Sequence, residues 1–323
     1  MTVPRTNNPS KLAYNPLVPR YIKEDISKTV SALVLIKTYA TRILQQSEIS
    51  LNISDRHAII DNLYFSQRLF KKHAEYIIVF LTPSITWGIS NINDYGKIFQ
   101  SVQLASLDII PEIARKNEPP YQIIALLNQL EKEARTRQKT AQTIYNILTE
   151  FNAELKMDLD NFNSELEGCD QKINSLLKEI SNIPDCSKNT KQQIQQILRK
   201  HYPKNTDIYA NIALINAVAY HFESLFETTN YMVEAHKALS IEWSSIVAGI
   251  RSFKQEIIHA SNMSNLDHIE ENLKLASREW YTINQRAQEM LLRIVYLKPE
   301  EVNNVLNWST PYPLISCPVD LHS

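Results

Sequence analysis

The sequence predicts an all-α protein, an elongated helical bundle with a long antiparallel coiled-coil stalk and a small amphipathic helical tip. Three observations predict it. Three stretches keep a three-four apolar rhythm far longer than an ordinary globular helix needs, and a 3.5-residue period marks helices that wind around each other. Only four glycines occur, Gly88, Gly96, Gly168 and Gly249, which disfavours strand-rich folds with many tight turns. Prolines lie mostly at the two ends and at punctuation points, as long helices require.

Taken in chain order, residues 1–20 carry Pro4, Pro9, Pro16 and Pro19 among Asn and Ser and are expected to be an extended, flexible N-terminal segment. The stretch 21–116 reads as the N-terminal helices of a bundle. The first, at about 22–47, turns Ile22, Ile26, Val30, Leu33, Ile36, Ala40 and Ile43 inward. After a break at Asn52–Asp55, where Ser54 or Asp55 can cap, a second runs through Ile60, Leu63, Phe70, Ala74 and Ile77 to about Leu81. Pro83 is expected to stop it, with Trp87-Gly88 in a connection. A third, at about 94–116, presents Tyr95, Ile98, Val102, Ala105, Ile109 and Ile113, with Pro111 placed to kink it. The strongest internal boundary is Asn117-Glu118-Pro119-Pro120.

The stalk hairpin occupies 117–182 and 207–263. Its first arm repeats Leu127, Leu130, Ala134, Arg137, Ala141, Ile144, Leu148, Phe151, Leu155, Leu159, Phe162, Leu166, Cys169, Ile173, Leu176 and Ile180. A single four-four-three passage from Phe151 to Phe162 predicts a local unwinding. The second arm repeats Ile208, Ile212, Ile215, Ala219, Phe222, Phe226, Thr229, Val233, His236, Ser240, Trp243, Val247 and Ile250. At 1.5 Å per residue these arms are roughly 90 and 80 Å long. A last bundle helix, 264–297, alternates strictly through Leu266, Ile269, Leu273, Ala276, Trp280, Ile283, Ala287, Met290, Ile294 and Leu297. The tail, 298–323, is irregular and held extended by Pro311, Pro313 and Pro318.

The segment joining the stalk arms carries the most chemistry. Pro184 and Pro203, the expected hinges, bracket a short helix at about 188–201 whose apolar face is Ile194, Ile197 and Leu198, with Tyr202 at its end. Between Cys186 and Thr206 stand five basic residues, Lys188, Lys191, Arg199, Lys200 and Lys204, and no acid. The preceding stretch 158–185 is net acidic, with seven acids against two bases, so positive charge collects at the far end of the rod. A stretch without charge follows from Ile208 to Tyr220 through Tyr209, Ile212, Leu214, Ile215 and Val218. It is apolar nearly all round, and a two-stranded stalk can cover only one stripe of it. Leu214 and Val218 call for another partner, for which the 188–201 helix folded back is the candidate. A basic amphipathic helix beside apolar residues is what binding to a membrane surface uses, with the five basic residues meeting lipid headgroups. The plain alternative is a short helix that caps a coiled coil and packs Ile194, Ile197 and Leu198 on the stalk.

Other chemistries find no support. Four scattered glycines exclude glycine-rich phosphate loops. A net charge of −1 gives no global field toward nucleic acid. Cys169, Cys186 and Cys317 have neither disulfide nor zinc spacing. The eight histidines include no pair four residues apart and no HExxH motif, and no paired carboxylates or nucleophile elbow stand out. No enzyme, cofactor or metal is expected. The first twenty residues lack the apolar core of a secretory signal, and no run approaches the ~18–20 apolar residues of a spanning helix, so a soluble product is expected.

The long antiparallel stalk, the helical bundle at one end and the amphipathic tip over 183–220 resemble the α-helical pore-forming toxins. Within them the chain is most similar to the smaller B component of the alpha-xenorhabdolysin-type binary cytotoxins. The resemblance covers about 22–297 and rests on architecture and tip rather than on a short motif. It implies a protein secreted without a classical signal peptide and monomeric in solution. It implies pairing with a larger A component at the target-cell lipid membrane and a hetero-oligomeric ring that perforates it. The moving segment would be 188–201 with 207–220. This tip is shorter than a clean spanning helix. The rival reading is a non-toxic coiled-coil scaffold that uses its stalk for helix-in-groove contacts.

Overall fold

A computed structural model describes residues 15–48, 58–116, 120–181, 208–259 and 263–296. Six α-helices are present among them: α1 (Ile22–Gln45), α2 (Ala58–Tyr76), α3 (Thr82–Lys116), α4 (Tyr121–Ser181), α5 (Ile208–His259) and α6 (Met263–Tyr296). No strand occurs among the described residues, so the all-α expectation holds.

The two long arms pair antiparallel in one register. Gln138 donates to the Ser244 hydroxyl at 2.9 Å and Ser240 to Gln142 at 3.0 Å, while Asn152 and Asn230 stand 3.5 Å apart. Toward the base of the hairpin, Glu131 of α4 gathers Arg251 and Lys254 of α5 and Arg135 of its own helix. The seam between the arms is the one the periodicity marks: Leu127 to Phe162 and Ile215 to Ile250 are buried, with Ala219 and Phe226 half-buried. Arg137, a charged residue in that seam, is buried because its guanidinium reaches the Asn91 carbonyl at 3.0 Å and Glu133 at 2.6 Å.

The N-terminal helices differ from the sequence expectation in two ways. First, Pro83 does not stop the second helix. A π-turn, Ile77–Leu81, joins α2 to α3 in an unbroken helical run, with the Thr82 N–H bonded to the Ile77 carbonyl. Proline cannot donate and its ring crowds the carbonyl four residues back; the wider π-turn just before Pro83 absorbs both defects. Trp87-Gly88 therefore lies inside α3, with Trp87 exposed. The buried face of α3 is also broader than the expected stripe, since Ile92, Phe99, Ser106 and Ile110 are buried while Ile98 and Ile109 are only partly so. It packs against both α4 and α6, which widens the face that must be apolar.

Second, α1 and α2 do not gather only at the open end of the hairpin. His73 of α2 meets Asp158 of α4, Ser66 meets Glu165, and Gln46 beyond the end of α1 meets His221 of α5. The paired arms are thus flanked by further helices at least this far along. α6 runs antiparallel to α3, Asn93 and Gln288 standing 3.3 Å apart, and parallel to α1, with Lys23 on Glu279 and Arg286 on Ser27.

The expectation of a flexible segment over 1–20 fails at its C-terminal end. Leu17 is fully buried, and its carbonyl accepts the Trp280 indole N–H at 3.0 Å. Asn15 donates to the Asn272 carbonyl at 2.8 Å. A Cβ at Gly249 would stand 1.7 Å from the Pro16 carbonyl oxygen, so the strap crosses α5 where only glycine leaves room. Burying a leucine contributes roughly 1.5–3 kcal/mol, enough to pin a short proline-containing segment.

Candidate membrane-active end of the bundle

The basic tip residues Lys188, Lys191, Arg199, Lys200 and Lys204, the apolar Ile194, Ile197, Leu198 and Tyr202, and the expected hinges Pro184 and Pro203 lie outside the described residues. Ile208, Tyr209, Ile212 and Leu214 lie on α5, their side chains outside the described ones. What the structure places is the collar where α1, α2, α4 and α5 meet.

On α5, Ile215 and Val218 are buried and Tyr220 is exposed. The end of α1 lies directly on this segment: Gln46 donates to the Ala217 carbonyl at 3.2 Å and approaches His221 Nδ1 at 2.6 Å. The cover found at 217–221 is therefore α1, and the 188–201 helix, the candidate for that role, lies outside the described residues. Below it, Phe70 of α2 stacks on Phe222 of α5, ring centres 3.4 Å apart, and meets Phe162 of α4 edge-on at 5.1 Å. Such contacts add about 0.5–1.5 kcal/mol beyond the area they bury.

Polar pairs interlock with these rings. His73 Nε2 stands 2.6 Å from Asp158 Oδ2, both side chains about nine-tenths buried, and the His73 ring meets Phe151 at 5.5 Å. Ser66 donates to Glu165 at 2.9 Å, and Gln67 to the Ser47 carbonyl at 2.7 Å. Burial, then the charge of Arg42, holds His221 below the ordinary imidazole range. Burial lifts the Tyr39 phenol, aided by Tyr220 alongside. Sequence reasoning missed His73, Asp158, Gln46 and His221. His73 continues the inward face of Phe70 and Ile77, and that phase was the available signal. Its partner, 85 positions away, carries none.

No helix among the described residues is long and apolar enough to cross a membrane. No cluster that could hold a metal occurs among them.

The sequence model of the Bacillus haemolytic enterotoxin (HBL) family matches residues 17–197, more than half of the chain. The chain belongs to the Bacillus haemolytic enterotoxin family. The class expected from stalk and tip, a component of the α-helical pore-forming toxins, stands with it. No curated protein matches the sequence. Among solved structures, soluble SmhA of the tripartite α-pore-forming toxin Smh from Serratia marcescens is similar, with TM-score 0.67 and 12% identity over 86% of this chain and 95% of that one. Soluble AhlB of the tripartite toxin AHL from Aeromonas hydrophila matches with TM-score 0.64 and 13% identity, over 85% and 93%. The AhlB pore matches with TM-score 0.64 and 15% identity, over 86% and 98%. At these identities the likeness carries the fold of this family member. The soluble and pore forms of AhlB match it with the same TM-score.

Proposed function

We propose that this chain is a pore-forming subunit that pairs with partner components at a target membrane, swings out its tip and assembles into a hetero-oligomeric ring. The observation that carries the reading is membership of a haemolytic toxin family together with the tip. Between Cys186 and Tyr220 the sequence supplies five basic residues and then thirteen without charge, the pairing that draws a segment to anionic lipid and lets it insert. The segment that moves is 188–201 with 207–220, hinged near Pro184 and Pro203. A larger A component is the proposed partner, and the tripartite composition of the toxins Smh and AHL supports more than one partner. In this reading the protein is secreted and meets the membrane from solution.

The test is dye release from liposomes and lysis of cultured cells, with the protein alone and with the proteins encoded beside it. Leakage that requires a partner is the expected result. No leakage and no lipid binding in any combination would overturn the reading and leave a soluble coiled-coil scaffold.

A further inference from the structure

We propose that the contact between Gln46 and His221 is a proton-operated release for the distal end of α1: protonation of His221 frees residues 40–48 from α5 while the opposite end of α1 stays docked.

The geometry dictates the protonation state. Gln46 Nε2 lies 3.2 Å from the Ala217 carbonyl oxygen and 2.6 Å from His221 Nδ1. A carbonyl oxygen only accepts, so the amide must turn its NH2 toward it, and the same NH2 then faces Nδ1. Nδ1 must therefore be the bare nitrogen, and His221 the neutral tautomer protonated at Nε2. A second proton places N–H against N–H. Flipping the amide does not help, because it aims Oε1 at the Ala217 carbonyl, two acceptors facing each other. Gln46 Oε1 is buried without a partner, so nothing else holds this amide in place. One buried contact is lost in either orientation, and an unmade buried hydrogen bond is costly.

The surroundings give the imidazolium nothing to replace it. From α1, Tyr39 stands with its ring 6.5 Å away and Arg42 adds a positive charge that opposes a second. On α5 itself, Tyr220 lies at 5.6 Å, while the acids Glu223 and Glu227 repel each other along the helix. From α2 and α4, His73 and Asp158 are already paired with each other beyond Phe222, and Glu165 of α4 already accepts from Ser66 of α2. His221 is held below the usual imidazole value of 6.5. The contact is therefore complete above pH 6.5 and is lost as pH falls through the lowered value.

The other end of α1 responds in the opposite sense. Its first turn sits on Glu242 of α5, which accepts from the backbone of Tyr21 and Arg20. Burial raises the carboxyls of Glu242 and Asp25 there, so a proton favours this docked end rather than opposing it. Lys23 on Glu279 and Arg286 on Ser27 tie the same end to α6. Acid thus gives α1 a direction of opening, from Gln46 downward.

The proposal concerns the folded chain alone and does not depend on pore formation. The test is hydrogen exchange followed by mass spectrometry on the full chain between pH 7.5 and 4.5, corrected for intrinsic exchange rates. In the wild type, peptides covering 40–48 and 215–224 are expected to lose protection at the acid end at least tenfold more than those covering 22–30. His221→Asn keeps an acceptor and cannot gain the proton, so it abolishes that excess. Gln46→Ala, which lacks the contact, exchanges fast at both ends of the range. Equal acceleration in His221→Asn, uniform acceleration along all of α1, or no acceleration in the wild type would overturn the proposal.

Discussion

Trp280 of α6 donates its indole N–H to the carbonyl of Leu17, and both side chains are fully buried. Together with Asn15, which donates to the Asn272 carbonyl, this bond fastens the segment ahead of α1 to the last described helix. It draws Pro16 across α5 at Gly249 and so closes the base of the bundle.

Gly249→Ala is expected to destabilise the fold more than Gly96→Ala. At Gly249 the added carbon meets backbone, the Pro16 carbonyl at 1.7 Å, while at Gly96 it meets the side-chain oxygen of Asn284 at 1.9 Å. A side chain can rotate away; a pinned backbone must move. Overpacking costs typically about 1–3 kcal/mol, so Gly249→Ala should lie at the upper end in urea unfolding and Gly96→Ala at the lower. Equal losses would mean that the strap is not held against α5.

Glu131→Gln should loosen the base of the hairpin. The Glu131 carboxylate serves Arg251 and Lys254 across the seam and Arg135 on its own helix. Burial alone would raise its carboxyl, but the hydrogen bonds from Lys254 and Arg251 prevail and hold it below the usual carboxylate range. A lowered carboxylate stabilises the fold above its unfolded value, and that contribution disappears as pH falls through the folded one. The expected loss at pH 7 is about 2 kcal/mol, the size of a charge-assisted network broken on one side. Chemical denaturation of wild type and variant at pH 7 and pH 3 should show the difference shrinking in acid.

His236 supplies the second pH signature. It sits in the seam between α4 and α5 beside a cavity of about 10 Å³ lined also by Gly88, Arg137 and Trp243, room for one water at most. Burial pushes its imidazole down to about 4. An unfolded histidine takes its proton near 6.5, so the fold is at full strength above pH 6.5 and loses stability from there down to about 4. The loss is on the order of 3 kcal/mol. His236→Leu should flatten the stability profile between pH 6.5 and 4. An unchanged slope would place the titration elsewhere.

Much of this architecture is written in the seams. Leu127 to Phe162, Ile215 to Ile250 and Ile269 to Ile294 are buried along the lines the rhythm draws, because a 3.5-residue period leaves one continuous face to hide. Even the polar His236 and Arg137 fall where that period puts them. The strap at 15–20 was not legible, because three local features, proline, asparagine and a short length, speak for extended chain, while its anchors Trp280 and Gly249 are more than two hundred residues away. Pro83 misled for a related reason: a proline inside a helix is rare, and the π-turn that accommodates it leaves no compositional mark. The collar was half legible. Leu214 and Val218 announced a need for cover, but that α1 supplies cover at 217–221 follows from packing between helices distant in sequence.

The most direct test of the central claim replaces Ile194 and Ile197 with Asp. Both lie outside the described residues, whereas Ile215 is buried in the seam between the arms. Dye release from anionic liposomes is measured for wild type and variant, each mixed with the proteins encoded beside this one, and thermal melts are recorded in parallel. The account predicts leakage by the wild type, none by the variant, and matching melts. Undiminished leakage by the double variant would contradict it.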